Sequence, residues 1–363
     1  MIGLYEQEAA YQNDLQTSQL LCKKTGSYNF AFHDPAKSND LKRLALLLQN
    51  LSNLIKHEPN QQRYHYLADL YLKFFHNFSL TRQIFYNNLV LKRIDSSYSN
   101  SNKTQMIRSS LFPKAFPHKH ILKIQSKSKL VNRMVYLMEE NYDWFMNHIS
   151  KIRSGDDFVD QLCQISEAAH KSKFYLQKPS IAIIRNDFMF DEYSQNFYQI
   201  EINLMASSMG PNMDRVSQSH KQISDLFDLD WAKNLHEPKN ITYLAEALSA
   251  GFRSYGNDKA IICVIADAAE TNTFDIFGPL QELLDENIKM KMASFEELII
   301  NHEYNQETGV LSLYGDEIAL GYMRHGYSPD HYYNSDIWNM RKVLECSKVI
   351  MLPNIDLHLL GSK

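Results

Sequence analysis

Glycine is scarce in this chain, with 12 residues in 363, about half the usual ~7%. No two stand closer than Gly251 and Gly256. A phosphate-cradling loop needs clustered glycines so that backbone N–H groups can approach the phosphates. A P-loop and a dinucleotide fingerprint are therefore excluded, and HExxH, GxSxG and kinase motifs are absent as well. Cysteine is also sparse: Cys22, Cys163, Cys263 and Cys346 lie far apart with no CxxC pair. That spacing fits reduced thiols in a cytoplasmic protein and not a disulfide framework or zinc site. Excess positive charge is missing, since 38 Lys and Arg face 42 Asp and Glu for a net charge of −4. No nucleic-acid partner is expected, because phosphate contacts need a basic face. No apolar run approaches the ~20 residues that span a bilayer, and the opening MIGLYEQEAAYQNDLQ is too polar for a signal peptide. No membrane partner is expected.

What is present is ordinary globular material, 44% hydrophobic and 22% charged. At ~150 residues per domain the length suggests about two domains. Leucines at 41, 44, 47, 48, 51 and 54 have helical spacing, and 64–78 is a second helical stretch rich in aromatics. The polar run DSSYSNSNKT (95–104) reads as a linker. Leu130, Met134, Leu137, Met138, Tyr142, Phe145, Met146 and Ile149 form one stripe, which predicts a core-facing helix. Another helix is expected over 157–170. SIAII (180–184) and FYQIEIN (197–203) read as strands joined by a turn, followed by helices near 214–229 and 241–255. From Ala260 strands alternate with helices: AIICVIA, GPLQELLDEN, IKMKMA, a hairpin GVLSL-YGDE-IALGYM, a helix over 335–346 and KVIML. That alternation indicates an α/β fold with parallel pairing. The expected organisation is a partly helical N-terminal extension (1–104), a helical region plus core strands (105–257), and an inserted α/β subdomain (258–361).

Three places can carry chemistry. On a strand, alternate side chains share a face, so Glu201 and Asn203 project together while Ile200 and Ile202 face the core. A carboxylate beside an amide oxygen is a hard-oxygen site suited to Mg²⁺; a solvated polar strand face is the plainer alternative. Arg185 follows SIAII where strand meets loop, a place where a guanidinium can clamp a carboxylate. Its plainer alternative is a surface ion pair with Asp187. Arg324-His325-Gly326-Tyr327 and Glu270-Thr271-Asn272 follow two strands of the same subdomain and are expected to open on one edge of the sheet. Gly326 lets the backbone turn so that Arg324 and Tyr327 can face one ligand, and His325 is expected to have no catalytic role.

In order and spacing these segments resemble the eukaryotic type of glutathione synthetase. The matching runs are SLFPKAFP (110–117), IIRNDFMFD (183–191), YQIEINLMASSMG (198–210), NTFD (272–275), YMRHGYSPDHY (322–332) and the terminal HLLGSK. The resemblance covers about 105–363. It implies an ATP-grasp ligase in which ATP phosphorylates the cysteinyl carboxylate of γ-glutamylcysteine and glycine attacks the acyl phosphate. Carried onto this chain, Glu201 would bind both Mg²⁺ and ATP, and Asn203 would bind Mg²⁺. Arg185, the stretch Met205-Ala206-Ser207-Ser208, Glu270, Thr271, Asn272, Arg324, His325, Gly326 and Tyr327 would hold the peptide substrate. Lys363 falls where the family places its first nucleotide-binding lysine. A reaction that gathers negative charge on a transferring phosphoryl group needs positioned cations, which agrees with that inventory.

The chain departs from the family pattern. Ala206 stands for a serine, Pro211 for a glycine and Ile276 for a glutamine near the dipeptide. The family continues past the position of Lys363 with a glycine-rich loop, a second lysine and a third metal-binding carboxylate, so the resemblance implies a partial ATP-grasp sheet without its C-terminal lid. The expectation is a truncated ligase, inactive alone. The alternative is a non-catalytic relative that binds γ-glutamyl peptides or a partner subunit. A third option is a misassembled gene product. A homodimer is compatible with the resemblance, though no sequence feature specifies one.

Overall fold

A computed structural model describes residues 69, 90–93, 103–106, 109–110, 113, 116–175, 178–229, 235–267, 270 and 272–362. The helix expected over 41–54 lies outside these residues, as do Thr271 and Lys363, and of the helix expected over 64–78 only Asp69 is described, in helical conformation. Two compact units emerge from the contacts. The first joins residues up to Pro117 with Gly210–Asn240 and Thr271–Phe274. The second holds His118–Met209, Ile241–Glu270 and Asp275–Lys363. In the first unit an antiparallel pair, β1 (Val90–Arg93) and β2 (Lys103–Met106), carries Val90 opposite Met106. Lys103 and Thr104 thus belong to a strand and not to the polar linker. Helix α4 (Gly210–Leu226) is the unit's principal described helix.

The second unit opens with three helices, α1 (His118–Glu140), α2 (Tyr142–Arg153) and α3 (Asp157–Lys171). The apolar stripe from Leu130 to Ile149 is split between α1 and α2 at Asn141, whose backbone leaves the helical region. Of the stripe only Phe145 is buried, with Met146 and Ile149 half-buried beside it. Phe145 packs beside Val159, Leu162 and Cys163 of α3, whereas Leu130 is 71% exposed and Met134 and Leu137 are also open. Periodicity located the stripe, but what covers a stripe is a tertiary matter. Asp156 caps α3 by accepting from the backbone N–H groups of Phe158 and Val159 at 2.9 and 3.0 Å.

Next come β3 (Arg185–Asp191) and β4 (Asn196–Asn203), an antiparallel two-stranded ribbon. SIAII is not a strand. Ile181 and Ile183 pack on the core, but the ladder begins at Arg185 because its partner is Asn203, the last residue of β4. Between Asp187 and Phe188 the register slips, with Asp187 opposite Glu201 and Phe188 opposite Gln199. Ile200 is the extra residue of this bulge, and at 56% exposed it does not enter the core. Ile202 does pack inward, beside Leu204 and Leu357.

The main sheet is mixed. Central β5 (Ile261–Ile265) runs parallel to both β6 (Lys289–Ala293) and β9 (Asp316–Met323), and β10 (Ile350–Leu352) is parallel to β9. β7 (His302–Tyr304) and β8 (Leu311–Leu313) add antiparallel partners at the start of β9. The unbroken apolar run of β5 reflects burial on both faces. Ile261, Cys263 and Ile265 meet Phe295 and Leu298 of α8 (Phe295–Asn301) and Ile337, Met340 and Leu344 of α9 (Ser335–Cys346). Ile262 and Val264 meet Leu244, Leu248 and Phe252 of α5 (Asn240–Tyr255). Gly251 permits that contact, since a Cβ there would lie 2.5 Å from Leu320 Cδ1. Short helices α6 (Thr273–Phe277) and α7 (Leu280–Asp285) follow β5, and α10 (Ile355–Leu360) ends the described chain.

Candidate functional site

The ribbon pairs Arg185 with Asn203 and Asp187 with Glu201. Residues two apart on one strand share a face, so four polar side chains meet as a square. Arg185 Nε and Nη2 each lie 3.0 Å from an oxygen of Asp187, and Nη2 also reaches Glu201 Oε1 at 3.4 Å. Asn203 Nδ2 donates to Glu201 Oε1 at 2.9 Å and to Asp187 Oδ2 at 3.1 Å. Two carboxylates directly opposite one another repel unless a cation lies between them. Arg185 supplies that cation. All three charged side chains are about one-third exposed, so each pair contributes at most about 1 kcal/mol. The square is held loosely enough for an entering charged ligand to rearrange it.

The donor set suits a hard divalent ion. Mg²⁺ is usually held by one or two carboxylates, with substrate phosphates and water completing the shell. Asn203 now turns its nitrogen toward both acids, and half a turn of the amide presents Oδ1 in the same place. Among the described residues no group of three or more His, Cys, Asp or Glu side chains forms a ready metal cage. The residues fit an ion that brings its own phosphate ligands.

Beyond Asn203 the chain makes a tight loop, Leu204 to Met209. Ser207 Oγ donates to the Asn203 carbonyl at 2.6 Å. Ala206 and Met209 sit at φ +48° and +81°, a region that side chains enter at a cost of about 1 kcal/mol or more. Arg324, just past β9, holds this loop. Its Nη1 donates to the Ser207 carbonyl at 2.7 Å, and its Nη2 lies 3.2 Å from Asp275 Oδ2. Asp275 Oδ2 also accepts from the Met209 N–H at 3.1 Å. Arg324 and Asp275 are only 3% and 1% exposed, in contrast to the open square on the ribbon. Burial pushes the nearby Tyr322 hydroxyl up, so it stays neutral beside the guanidinium.

Because Ile265 of β5 lies opposite Met323 of β9 in parallel register, the loops after both strands leave the same end of the sheet. Arg324 and His325 N–H groups both donate to the Ile265 carbonyl, which continues the ladder into the second loop. Gly326 has φ +91°, and a Cβ there would sit 2.7 Å from Tyr332 Oη. His325 stacks on His331 with ring centroids 3.8 Å apart, and burial lowers both imidazoles. Tyr327 is exposed, its ring edge against His331, while Arg324 points into the interior. Glu270 closes a turn onto the Asp267 carbonyl.

The structure thus brings Arg185, Glu201 and Asn203 together and ties Met205–Ser208 to Arg324. Two further acids belong to these arrangements, Asp187 and Asp275. Asp187 repeats on β3 the two-residue spacing of Glu201 and Asn203, a legible signal. Asp275 had none, since its partners are 49 and 66 positions away.

A family model described as "Eukaryotic glutathione synthase, ATP binding domain" matches residues 74–350. Chloroplastic glutathione synthetase of Solanum lycopersicum is 28% identical over 262 residues, covering 70% of this chain and 47% of that protein. Glutathione synthetase of Homo sapiens is 27% identical over 278 residues, covering 76% and 58%. The chain spans about half the length of the curated relatives it matches. The solved structure of a glutathione synthetase-like effector from Globodera pallida, in its apo form, superposes with a TM-score of 0.60. That match has 18% identity and covers 77% of this chain and 61% of the other, a likeness of fold. With the family model spanning three quarters of its length, the chain belongs to the eukaryotic glutathione synthase family.

Proposed function

We propose that this chain carries the Mg·ATP-binding ribbon and the peptide-binding loops of a glutathione synthetase-like ligase, which joins γ-glutamylcysteine to glycine at the expense of ATP. The observation that carries the reading is the four-residue square, in which Asp187 opposes Glu201 across the strands. That opposition is unfavourable by itself and becomes favourable when a cation is shared. Glu201 and Asn203 would hold Mg²⁺, with Asp187 beside them. Bound there, Mg²⁺ would neutralise charge on the ATP phosphates during phosphoryl transfer. Arg185 would meet an anionic group of substrate, exchanging its exposed carboxylate partners for it at small cost. Met205–Ser208 and the loops holding Glu270–Asn272 and Arg324–Tyr327 would receive the dipeptide. No described helix is long and apolar enough to cross a membrane, and a cytoplasmic location is part of the same proposal.

A second reading, peptide binding without turnover, is favoured by one observation. Ile276 stands where the family pattern has a glutamine near the dipeptide, and here it is 1% exposed within the apolar core. Calorimetric titration with Mg·ATP and with γ-glutamylcysteine, followed by ATP consumption in the presence of both substrates and Mg²⁺, separates the two. Turnover that needs both dipeptide and glycine supports the ligase. Heat with Mg·ATP as well as with dipeptide supports the first reading even without turnover, and dipeptide heat with none from Mg·ATP supports the second. Absence of heat with either ligand refutes both.

A further inference from the structure

The loop Leu204–Met209 contains two non-glycine residues in the left-handed region, Ala206 and Met209, within four positions. Such a loop persists only when its surroundings over-determine it. Two of the contacts that hold it reach across from distant parts of the chain. Asp275 Oδ2 accepts from the Met209 N–H at 3.1 Å, and Arg324 Nη1 donates to the Ser207 carbonyl at 2.7 Å. The two clamps are one object, because Asp275 and Arg324 are themselves paired at 3.2 Å in a buried setting. A buried guanidinium directed by a single carboxylate has few alternative orientations. The exposed pairs of the ribbon impose no such constraint on their neighbours.

From this geometry we infer that Asp275 is a positioning residue for peptide binding. It orients Arg324 and holds Met205–Met209 in the strained, binding-competent form, without itself touching the ligand. The inference rests on the peptide-binding reading above. It adds that affinity for the dipeptide depends on preorganisation of this loop, and that α6 is recruited to the site through Asp275.

The strain permits a test with opposite signs. Met209→Gly removes a half-exposed side chain and the penalty of positive φ, so the folded chain keeps or gains stability. The same change frees the loop in the unliganded state, so affinity for γ-glutamylcysteine falls about fivefold or more. A residue with a purely structural role would move both quantities in the same direction. Asp275→Asn keeps an acceptor for Met209 and removes the negative charge that faces Arg324. It should lose the preference of the wild-type chain for γ-glutamylcysteine over the analogue whose cysteinyl carboxylate is amidated. The measurements are calorimetric affinities for both peptides and thermal midpoints of the full chain and each variant. Weakened binding with an unchanged or raised midpoint in Met209→Gly supports the inference. Unchanged affinity in that variant overturns it, whatever becomes of Asp275→Asn. Wild-type chain that takes up no dipeptide overturns the peptide-binding reading, and this inference with it.

Discussion

Asp187 and Glu201 stand directly opposite each other on neighbouring strands, and Arg185 bonds to both. Two acids paired across a ladder need a shared cation, and the protein's own arginine is a replaceable one.

Glu201→Gln tests that arrangement. The change removes the like-charge opposition and leaves Arg185 paired with Asp187. Stability should stay within about 0.5 kcal/mol of the parent, because the site is partly exposed. Affinity for Mg·ATP should fall at least about tenfold, equivalent to about 1.4 kcal/mol. Calorimetry with the nucleotide, with and without Mg²⁺, gives the comparison. Equal Mg·ATP affinity in parent and variant would remove Glu201 from the nucleotide site.

A second prediction concerns the interior. Arg341 and Glu345 form an (i, i+4) pair on α9 at 2.7 Å with no exposure at all. Burial raises the Glu345 carboxyl, and Arg341 pulls it back. Glu345→Gln leaves a buried guanidinium uncompensated and should cost about 3–5 kcal/mol. Replacing both residues with methionine should cost far less, or even stabilise, because neither charge then has to be desolvated. Urea unfolding of the three chains decides it. A double variant as damaged as the single one would contradict the argument.

Acid should weaken the fold through His358. The imidazole is fully buried and held well below its ordinary value, chiefly by desolvation and further by Arg341. Its folded pKa therefore lies below the unfolded one. Under about pH 6.5 the unfolded chain takes up a proton that the folded chain refuses, so stability declines as pH drops. The slope from this one group approaches about 1.4 kcal/mol per pH unit. His220, lowered by its own burial, adds to it with the same sign. Denaturant midpoints of the parent and His358→Leu, taken between about pH 5 and 7.5, should diverge in slope by one proton. Parallel profiles would show that His358 is not the titrating group.

Much of the fold was legible along the chain. The run AIICVIA announced a strand, and the alternation after Ala260 announced parallel pairing, because side-chain pattern is a local property of backbone geometry. Glu201 and Asn203 were legible for the same reason, being two apart on one strand. What lay beyond reach was everything that depends on a partner. The stripe through Leu130 predicts a core face, yet its first half is left open. Alternation places Ile200 in the interior, yet a bulge turns it outward. Arg324 reads as a ligand clamp in sequence, and only the fold supplies the buried carboxylate that directs it.

The amino-acid sequence alone determined the α/β order of elements and the chemistry available at the ribbon, since both follow from residue types at short, regular spacing, and the order of its longer motifs carried the resemblance to the family. Tertiary structure decided which charges are shared. Asp187 faces Glu201 and Asp275 holds Arg324 because strand register and chain return bring distant residues together, and those distances are set by packing and not by local spacing.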